Sequence, residues 1–501
     1  MPSRWPSCSS QRPSQATSSS PRFVDGSVSF LDSLWRQRLE LLLGAGRAAG
    51  ADLVEVFLER GDRLGVLAEQ ERVTSVSPSF ATGAGIRVFL GAEQGHRDGF
   101  VSTNDLSEKG LLRALDQALG MLSLQRPGGN GSTLSSFQGL DELSDYGAGK
   151  QGWLGRCPGV QTIADRLLEG TARLEHHGQY FQARRGNYSR DWQEVMVAAS
   201  DGTFARDLRL HQTLGLSVLA ADGEHRAGVA RRFGSTDLPE DLMVWDADGT
   251  ASDIASSSAT MLYADYVDAG TYPVVLANKF GGVIFHEACG HLLETTQIER
   301  GTTPFAERIG QPIAHESVTA IDEGLSPQSF GSLSMDDEGK APQRTTLIEN
   351  GVLKAFLSDR AGELRTGQPR TGSGRRQSYS FAAASRMRNT FIAAGPHSPQ
   401  DLIGSIDRGL YCKVMGGGSV GPTGQFNFSV EEGYLIEDGE LGKPVKGATL
   451  IGDAETVMPR ISMCANDLDL AAGFCGSVSG SVYVTVGQPH VKVDAITVGG
   501  R

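Results

Sequence analysis

Residues 160–233 read VQTIADRLLEGTARLEHHGQYFQARRGNYSRDWQEVMVAASDGTFARDLRLHQTLGLSVLAADGEHRAGVARRF. The first part, 160–176, carries a helical pattern. Strands are predicted near 179–185, 192–199, 203–220 and 224–233, and Ser200-Asp201-Gly202 between two β-rich runs reads as a hairpin turn. The same order occurs earlier in the chain. Leu31, Leu34, Leu39, Leu42 and Leu43 approximate one apolar stripe over 28–48, which Gly44 and Gly46 end. Short strands follow at Leu53–Leu58, Leu64–Ala68 and Ile86–Leu90. A helix over 105–123 then buries Leu106, Leu111, Leu112, Leu115 and Leu119. A helix followed by several antiparallel strands, twice over, predicts an α+β fold rather than a doubly wound parallel sheet.

Outward from these two units the composition changes. Residues 126–160 are rich in Gly, Ser and Pro and read as a seam or loop. A third segment starts near 241, with a helix at 249–264 and a strand at Tyr272–Ala277. From 300 onward short strands and glycine turns dominate, and SVYVTVGQPHVKVDAITVGG (481–500) alternates with period two. The expected organisation is a disordered tail (1–24), an N-terminal α+β domain of helices and antiparallel sheet (25–240), and a β-rich C-terminal domain (241–501).

Composition narrows the function. The 501 residues carry 46 Lys+Arg against 59 Asp+Glu, a net charge of −13, which repels phosphate backbones and argues against nucleic acid. No run approaches the ~18 apolar residues of a membrane span. Glycine, 64 of 501, is about twice its usual ~7% share, as many tight turns require. Six scattered cysteines (8, 157, 289, 412, 464, 475) do not make a disulfide framework and point to a reducing, cytoplasmic setting. Residues 1–22 hold eight Ser, four Pro, three Arg and no acid, without an apolar core. They read as a disordered tail, with organellar import as the second reading.

Within GGVIFHEACGHLLE (281–294), His286-Glu287-Ala288-Cys289-Gly290-His291 combines two imidazoles with a carboxylate beside the first. Neutral imidazoles bind Zn²⁺, the ion acidifies a water, and a neighbouring carboxylate takes the proton. The common zinc-peptidase spacing is i, i+4 on one helix face. Here it is i, i+5, which on a regular α-helix sets the rings about 140° apart. A local π-type turn closes i→i+5 and restores one face, a distortion that Gly290 eases. A catalytic zinc takes three protein ligands. Candidates for the third are Cys289, Glu294, Cys412, Cys464 and Cys475, and spacing does not choose among them.

Several segments together resemble the TldD/PmbA family of metallopeptidases, on its TldD branch, over about residues 50–500. They are GGVIFHEACGHLLE; Asp336-Asp337-Glu338-Gly339 with QRTTLIENGVLKAFLSDR; Gly374-Arg375-Arg376-Gln377-Ser378-Tyr379 with Arg386-Met387-Arg388-Asn389-Thr390; FSVEEGYLIEDGEL; Met463-Cys464; and VGQPHVKVDAITVGG. The resemblance implies a zinc peptidase with His286, His291 and Cys464 as ligands and Glu287 as base. It implies a PmbA/TldE-like partner in a heterodimer, with a homodimer as the other arrangement. The chain departs from the family after Cys464, where Ala465-Asn466-Asp467 replaces a Gly-Lys-Asp-Gly-like run, so Cys475 stays open as the third ligand.

The β-rich C-terminal part suits unfolded or short peptides, bound by strand addition. Arg386 is a candidate to hold a peptide carboxylate or carbonyl. Gly417 and Gly418, in a run that lacks the Lys-Ser/Thr of a phosphate loop, are candidates for close approach to a substrate strand. The competing function is a non-catalytic metal-binding scaffold or regulatory subunit, in which a closed site needs a fourth ligand such as Glu294 or Cys475.

Overall fold

In the computed structural model, residues 33–92, 95–126, 138–177, 180–236, 241–325, 329–421 and 423–500 are described. The expected tail, 1–24, lies outside them, as do the import segment 1–22 and the start of the 28–48 helix. The N-terminal half is built on period-two alternation. In strand β1 (Leu53–Glu69), Val54, Val56, Leu58, Leu64, Val66 and Ala68 share one face and enter two apolar clusters. Glu55, Phe57 and Glu59 point the other way. β2 (Arg72–Ala92), β3 (Gly95–Thr103), β4 (Phe181–Ala199), β5 (Phe204–Asp222) and β6 (His225–Ser235) complete an antiparallel sheet in the order β3-β2-β1-β4-β5-β6. The two units meet through their first strands, β1 and β4.

Helices cover the aliphatic face at both ends. α1 (Ser33–Ala48) and α2 (Glu108–Met121) lay Leu39, Leu42, Leu43, Leu111 and Leu115 on Val54, Val56 and Leu58. α3 (Val160–His177) and α4 (Ala247–Leu262) lay Ile163, Leu167, Ala251 and Ile254 on Leu64 and Val66. Each fully buried leucine contributes about 1.5–3 kcal/mol. α4, which lies beyond residue 240, packs on α3 and β6.

The strands expected at 53–58 and 64–68 are one strand. The charges that interrupt the apolar pattern are paired across to β4: Arg60 with Glu194 at 2.6 Å, Arg63 with Asp191 at 3.2 Å, and Asp62 with Arg190.

The C-terminal half contains β7 (Gly270–Leu276), β8 (Ala320–Glu323), β9 (Asn389–Ile392), β10 (Arg408–Val420), β11 (Phe426–Glu437), β12 (Thr449–Gly452), β13 (Ile461–Cys464), β14 (Asp469–Ser477), β15 (Gly480–Gln488) and β16 (Val491–Gly499). The ladder β10-β7-β16-β12-β11 closes on itself, because β11 also pairs with β10. A second sheet runs β8-β9-β15-β14, with Arg344–Glu349 and Val352–Leu353 beyond β8. The fold is α+β, with a helix-and-antiparallel-sheet N-terminal region and a β-rich C-terminal region.

The polar face of β1 rests on the C-terminal half. Glu55 pairs with Arg360 at 3.1 Å and Arg376 at 2.7 Å, the Arg376 guanidinium lies 4.4 Å from the centre of the Phe57 ring, and Glu59 accepts the Tyr379 N–H at 2.6 Å.

Candidate metal centre

The segment after β7 changes pitch three times. Lys279–Gly282 is a 3₁₀ turn, Val283–Phe285 an α turn, His286–Gly290 a π turn, and His291–Leu293 a 3₁₀ turn. The His291 N–H donates to the His286 carbonyl, which is the i→i+5 closure the spacing requires. The two imidazoles therefore face each other, ring centres 5.1 Å apart and nearly perpendicular. Two glycines allow the segment to sit where it does. A Cβ on Gly282 would lie 2.5 Å from the Gly487 carbonyl carbon, and one on Gly290 would lie 2.3 Å from Met387 Sδ. At 290 the backbone is ordinary helix, with φ of −54° and ψ of −49°, so the glycine serves close packing rather than the turn conformation.

Cys475, near the end of β14, completes the group. Its Sγ is 3.2 Å from His286 Nε2 and 3.2 Å from His291 Nε2, and the three donor atoms lie within 4.8 Å of one another. Around a tetrahedral ion with Zn–S of ~2.3 Å and Zn–N of ~2.0 Å, sulfur and nitrogen sit roughly 3.5 Å apart. The spacing fits, and so does the chemistry, since two imidazoles and a thiolate suit a borderline-soft dication. Burial pushes the Cys475 thiol up, but the positive charges of His291, His286 and Arg386 outweigh it and hold the thiol well below its usual range. Burial lowers His291, while the negative charges of Cys475 and Glu294 carry it well above the usual imidazole value.

Glu294 is fully buried. Its Oε2 lies 3.1 Å from His291 Nδ1, and its Oε1 accepts the Met387 N–H at 3.2 Å. It thus holds the ring edge of His291 opposite Cys475. His286 Nδ1, also buried, has no hydrogen-bond partner among the described residues.

Glu287 is partly open, more so than His291. Its Oε2 is 3.7 Å from His291 Nε2, and it lines a cleft of about 140 Å³ with His291, Val420, Gly421, Gly476 and Ser477.

The structure does not bring Cys464 to the imidazoles. It ends β13, pairs with Val491 of β16, and its thiol, pushed up to about 11 by burial, faces Ser317 Oγ at 4.0 Å. Cys289 and Cys412 are core residues whose thiols burial holds well above the usual range. Arg386 does not line the cleft, because it is fully buried with its guanidinium bound to the β14–β15 turn. Gly417 and Gly418 lie within β10, where the Gly417 carbonyl accepts from Ser429 Oγ and Gly418 pairs with Phe428. Val420 and Gly421, three residues on, reach the cleft instead. The contact of Glu294 with His291 had one signal in the sequence, its position three residues after His291.

Family models described as PmbA/TldA metallopeptidase domain 1, central domain and C-terminal domain match residues 54–122, 156–262 and 269–500. A metalloprotease TldD homolog of Haemophilus influenzae is 36% identical over 427 residues, 83% of this chain and 86% of that protein. A zinc metalloprotease TldD homolog of Saccharolobus solfataricus is 33% identical over 291 residues, 58% of this chain and 65% of the other. The crystal structure of TldE from Thermococcus kodakarensis shares the fold with a TM-score of 0.71 at 20% identity, covering 92% of this chain and all of that one. A putative modulator of a DNA gyrase from Thermotoga maritima does so with a TM-score of 0.71 at 16% identity, covering 93% of this chain and all of that one.

Proposed function

The chain belongs to the PmbA/TldD metallopeptidase family, and from that premise we propose that it is a zinc peptidase whose ion is held by His286, His291 and Cys475. The carrying observation is the convergence of those three donor atoms beside the partly open Glu287. A zinc ion bound there supplies Lewis acidity, polarising a peptide carbonyl and acidifying a water. Glu287 takes the proton of the attacking water on its carboxylate and returns it to the leaving amine nitrogen. Glu294 holds His291 with Nε2 turned inward. Small residues, Gly421 and Gly476, border the cleft and leave room for a peptide main chain.

The substrates of this reading are unfolded or short peptides, because strand addition recognises backbone rather than a folded surface. A subunit of the PmbA/TldE kind is the proposed partner, with a second copy of this chain as the other arrangement. The proposed setting is the cytoplasm, and no helix of the described residues is long and apolar enough to cross a membrane.

A closed, purely structural metal site takes four protein ligands. Among the described residues three converge, so the scaffold reading has no observation in its favour. The test is Glu287→Ala in the purified protein with its partner, with zinc content and cleavage of an unfolded peptide measured together. Zinc retained and cleavage abolished is expected. Cleavage at the wild-type rate would remove Glu287 from the reaction.

A further inference from the structure

We propose that Arg386 is the positioning residue that fixes Cys475 against the two imidazoles. The proposal rests on the reading of His286, His291 and Cys475 as a metal centre. Among the described residues β14, which carries Cys475, has a single ladder partner, β15, so main-chain pairing there anchors it on one side. Cys475 is moreover two residues from the end of that strand, so its position follows that of the turn into β15. A ligand so placed needs a second anchor, because small displacements of a ligand atom weaken the site.

Arg386 supplies that anchor. It is fully buried, and its fork grips both arms of the β14–β15 turn. Nη2 donates to the Cys475 carbonyl, while Nη1 donates to Ser479 Oγ at 2.9 Å and the Gly480 carbonyl at 2.8 Å. The Arg386 main chain is itself tied down, its N–H donating to the Ser373 carbonyl at 2.9 Å. The turn is held from the same segment by Gln377, whose N–H donates to the Ser479 carbonyl at 2.8 Å and whose Oε1 accepts the Ser481 N–H at 2.8 Å. Gly480 has φ of +84°, and a Cβ there would lie 2.5 Å from Gln377 Cβ. The turn is therefore seated on Gln377 and Arg386 in one arrangement. Only a planar, multi-donor head group spans three acceptors in this way, and lysine does not.

The experiment measures zinc affinity by chelator competition and records the thiolate-to-cobalt charge-transfer band of the Co²⁺-loaded protein. Wild type, R386A, R386K and S479A are compared, with folding checked by circular dichroism. R386A is expected to bind zinc 10–100-fold more weakly, with a diminished cobalt–sulfur band. R386K, which keeps the charge and loses the fork, stays several-fold weak. S479A removes one of the three acceptors at little cost to folding and gives a smaller loss in the same direction.

Wild-type zinc affinity and an unchanged cobalt band in folded R386K and S479A would overturn the positioning role, whether or not R386A folds. If the wild-type protein itself takes up neither zinc nor cobalt, the metal-centre reading fails, which is a different result.

Discussion

Glu294 and His291 are joined by a hydrogen bond of 3.1 Å from Nδ1 of the imidazole to Oε2 of the carboxylate, on the ring edge opposite Cys475. The bond fixes the tautomer that leaves Nε2 free to ligate. Glu294→Ala is therefore expected to weaken zinc binding by 10–100-fold. It also leaves the buried Met387 N–H without an acceptor, at a cost of about 1–3 kcal/mol in stability. Glu294→Gln, which keeps an acceptor, should lose less of both. Chelator competition and urea melts read the two effects separately. Unchanged zinc affinity in the alanine variant would show that the carboxylate does not orient the ligand.

The choice of thiol is open to a direct comparison. Cys475→Ser should abolish stoichiometric zinc uptake, while Cys464→Ser, a change beside Ser317 in another part of the sheet system, should leave it intact. Zinc binding to the folded state stabilises by about 2.7 kcal/mol at a hundredfold excess over Kd. Addition of a chelator should thus lower the melting temperature of wild type and of Cys464→Ser, and leave Cys475→Ser unmoved. Zinc lost from Cys464→Ser and kept by Cys475→Ser would reverse the assignment.

The contrast between the two cysteines also shows what a sequence exposes. The spacing of His286 and His291 already demands a π turn if both rings are to share a ligand, and the structure has that turn. That inference is local, needing only residues five apart. The third donor depends on where the β14–β15 hairpin docks against Gln377, Arg386 and the turn that carries the two histidines, contacts between segments some ninety residues apart or more. Nothing in the neighbourhood of Cys464 or Cys475 encodes that docking. The twofold helix-then-strands order was legible because each unit is contiguous. The continuity of β1 was not, because Arg60, Asp62 and Arg63 look like a break until their partners on β4 are in place.

Between the halves of the molecule lies a buried set of charges with a pH signature. Glu338 Oε2 accepts the Arg360 N–H at 2.7 Å and pairs with Arg370 at 3.3 Å, while Oε1 has no hydrogen-bond partner among the described residues. Burial pushes its carboxyl up to about 8; Arg370 pulls it down, and Glu55, Asp359 and Asp336 push it further up. A carboxyl whose folded value exceeds its unfolded value of 4.5 binds more protons when folded, so its contribution falls as pH rises from there to about 8. The slope from one such group is at most about 1.4 kcal/mol per pH unit. Asp359, pushed by burial up to about 6, acts in the same direction at the lower end of the window. Urea melts from pH 5 to pH 8.5 should show wild type losing stability relative to Glu338→Gln. Parallel profiles for the two proteins would mean that Glu338 does not titrate in this range.

The two glycines that let the metal segment pack should differ in what they tolerate. A Cβ at 282 meets the main chain of Gly487, 2.5 Å from its carbonyl carbon, and β15 cannot withdraw without breaking its ladders to β9 and β14. A Cβ at 290 meets Met387 Sδ, 2.3 Å away, and a thioether side chain has other rotamers. Overpacking costs about 1–3 kcal/mol where side chains yield, and more where only backbone can. Gly282→Ala is thus expected to destabilise more than Gly290→Ala in denaturant melts. Met387→Ala added to Gly290→Ala should recover part of the loss, whereas it should do nothing for Gly282→Ala. Both single variants should weaken zinc binding, because each displaces the turn that carries His286 and His291. Equal destabilisation at the two positions, with no recovery from Met387→Ala, would mean that the π turn itself, and not its neighbours, demands glycine at 290.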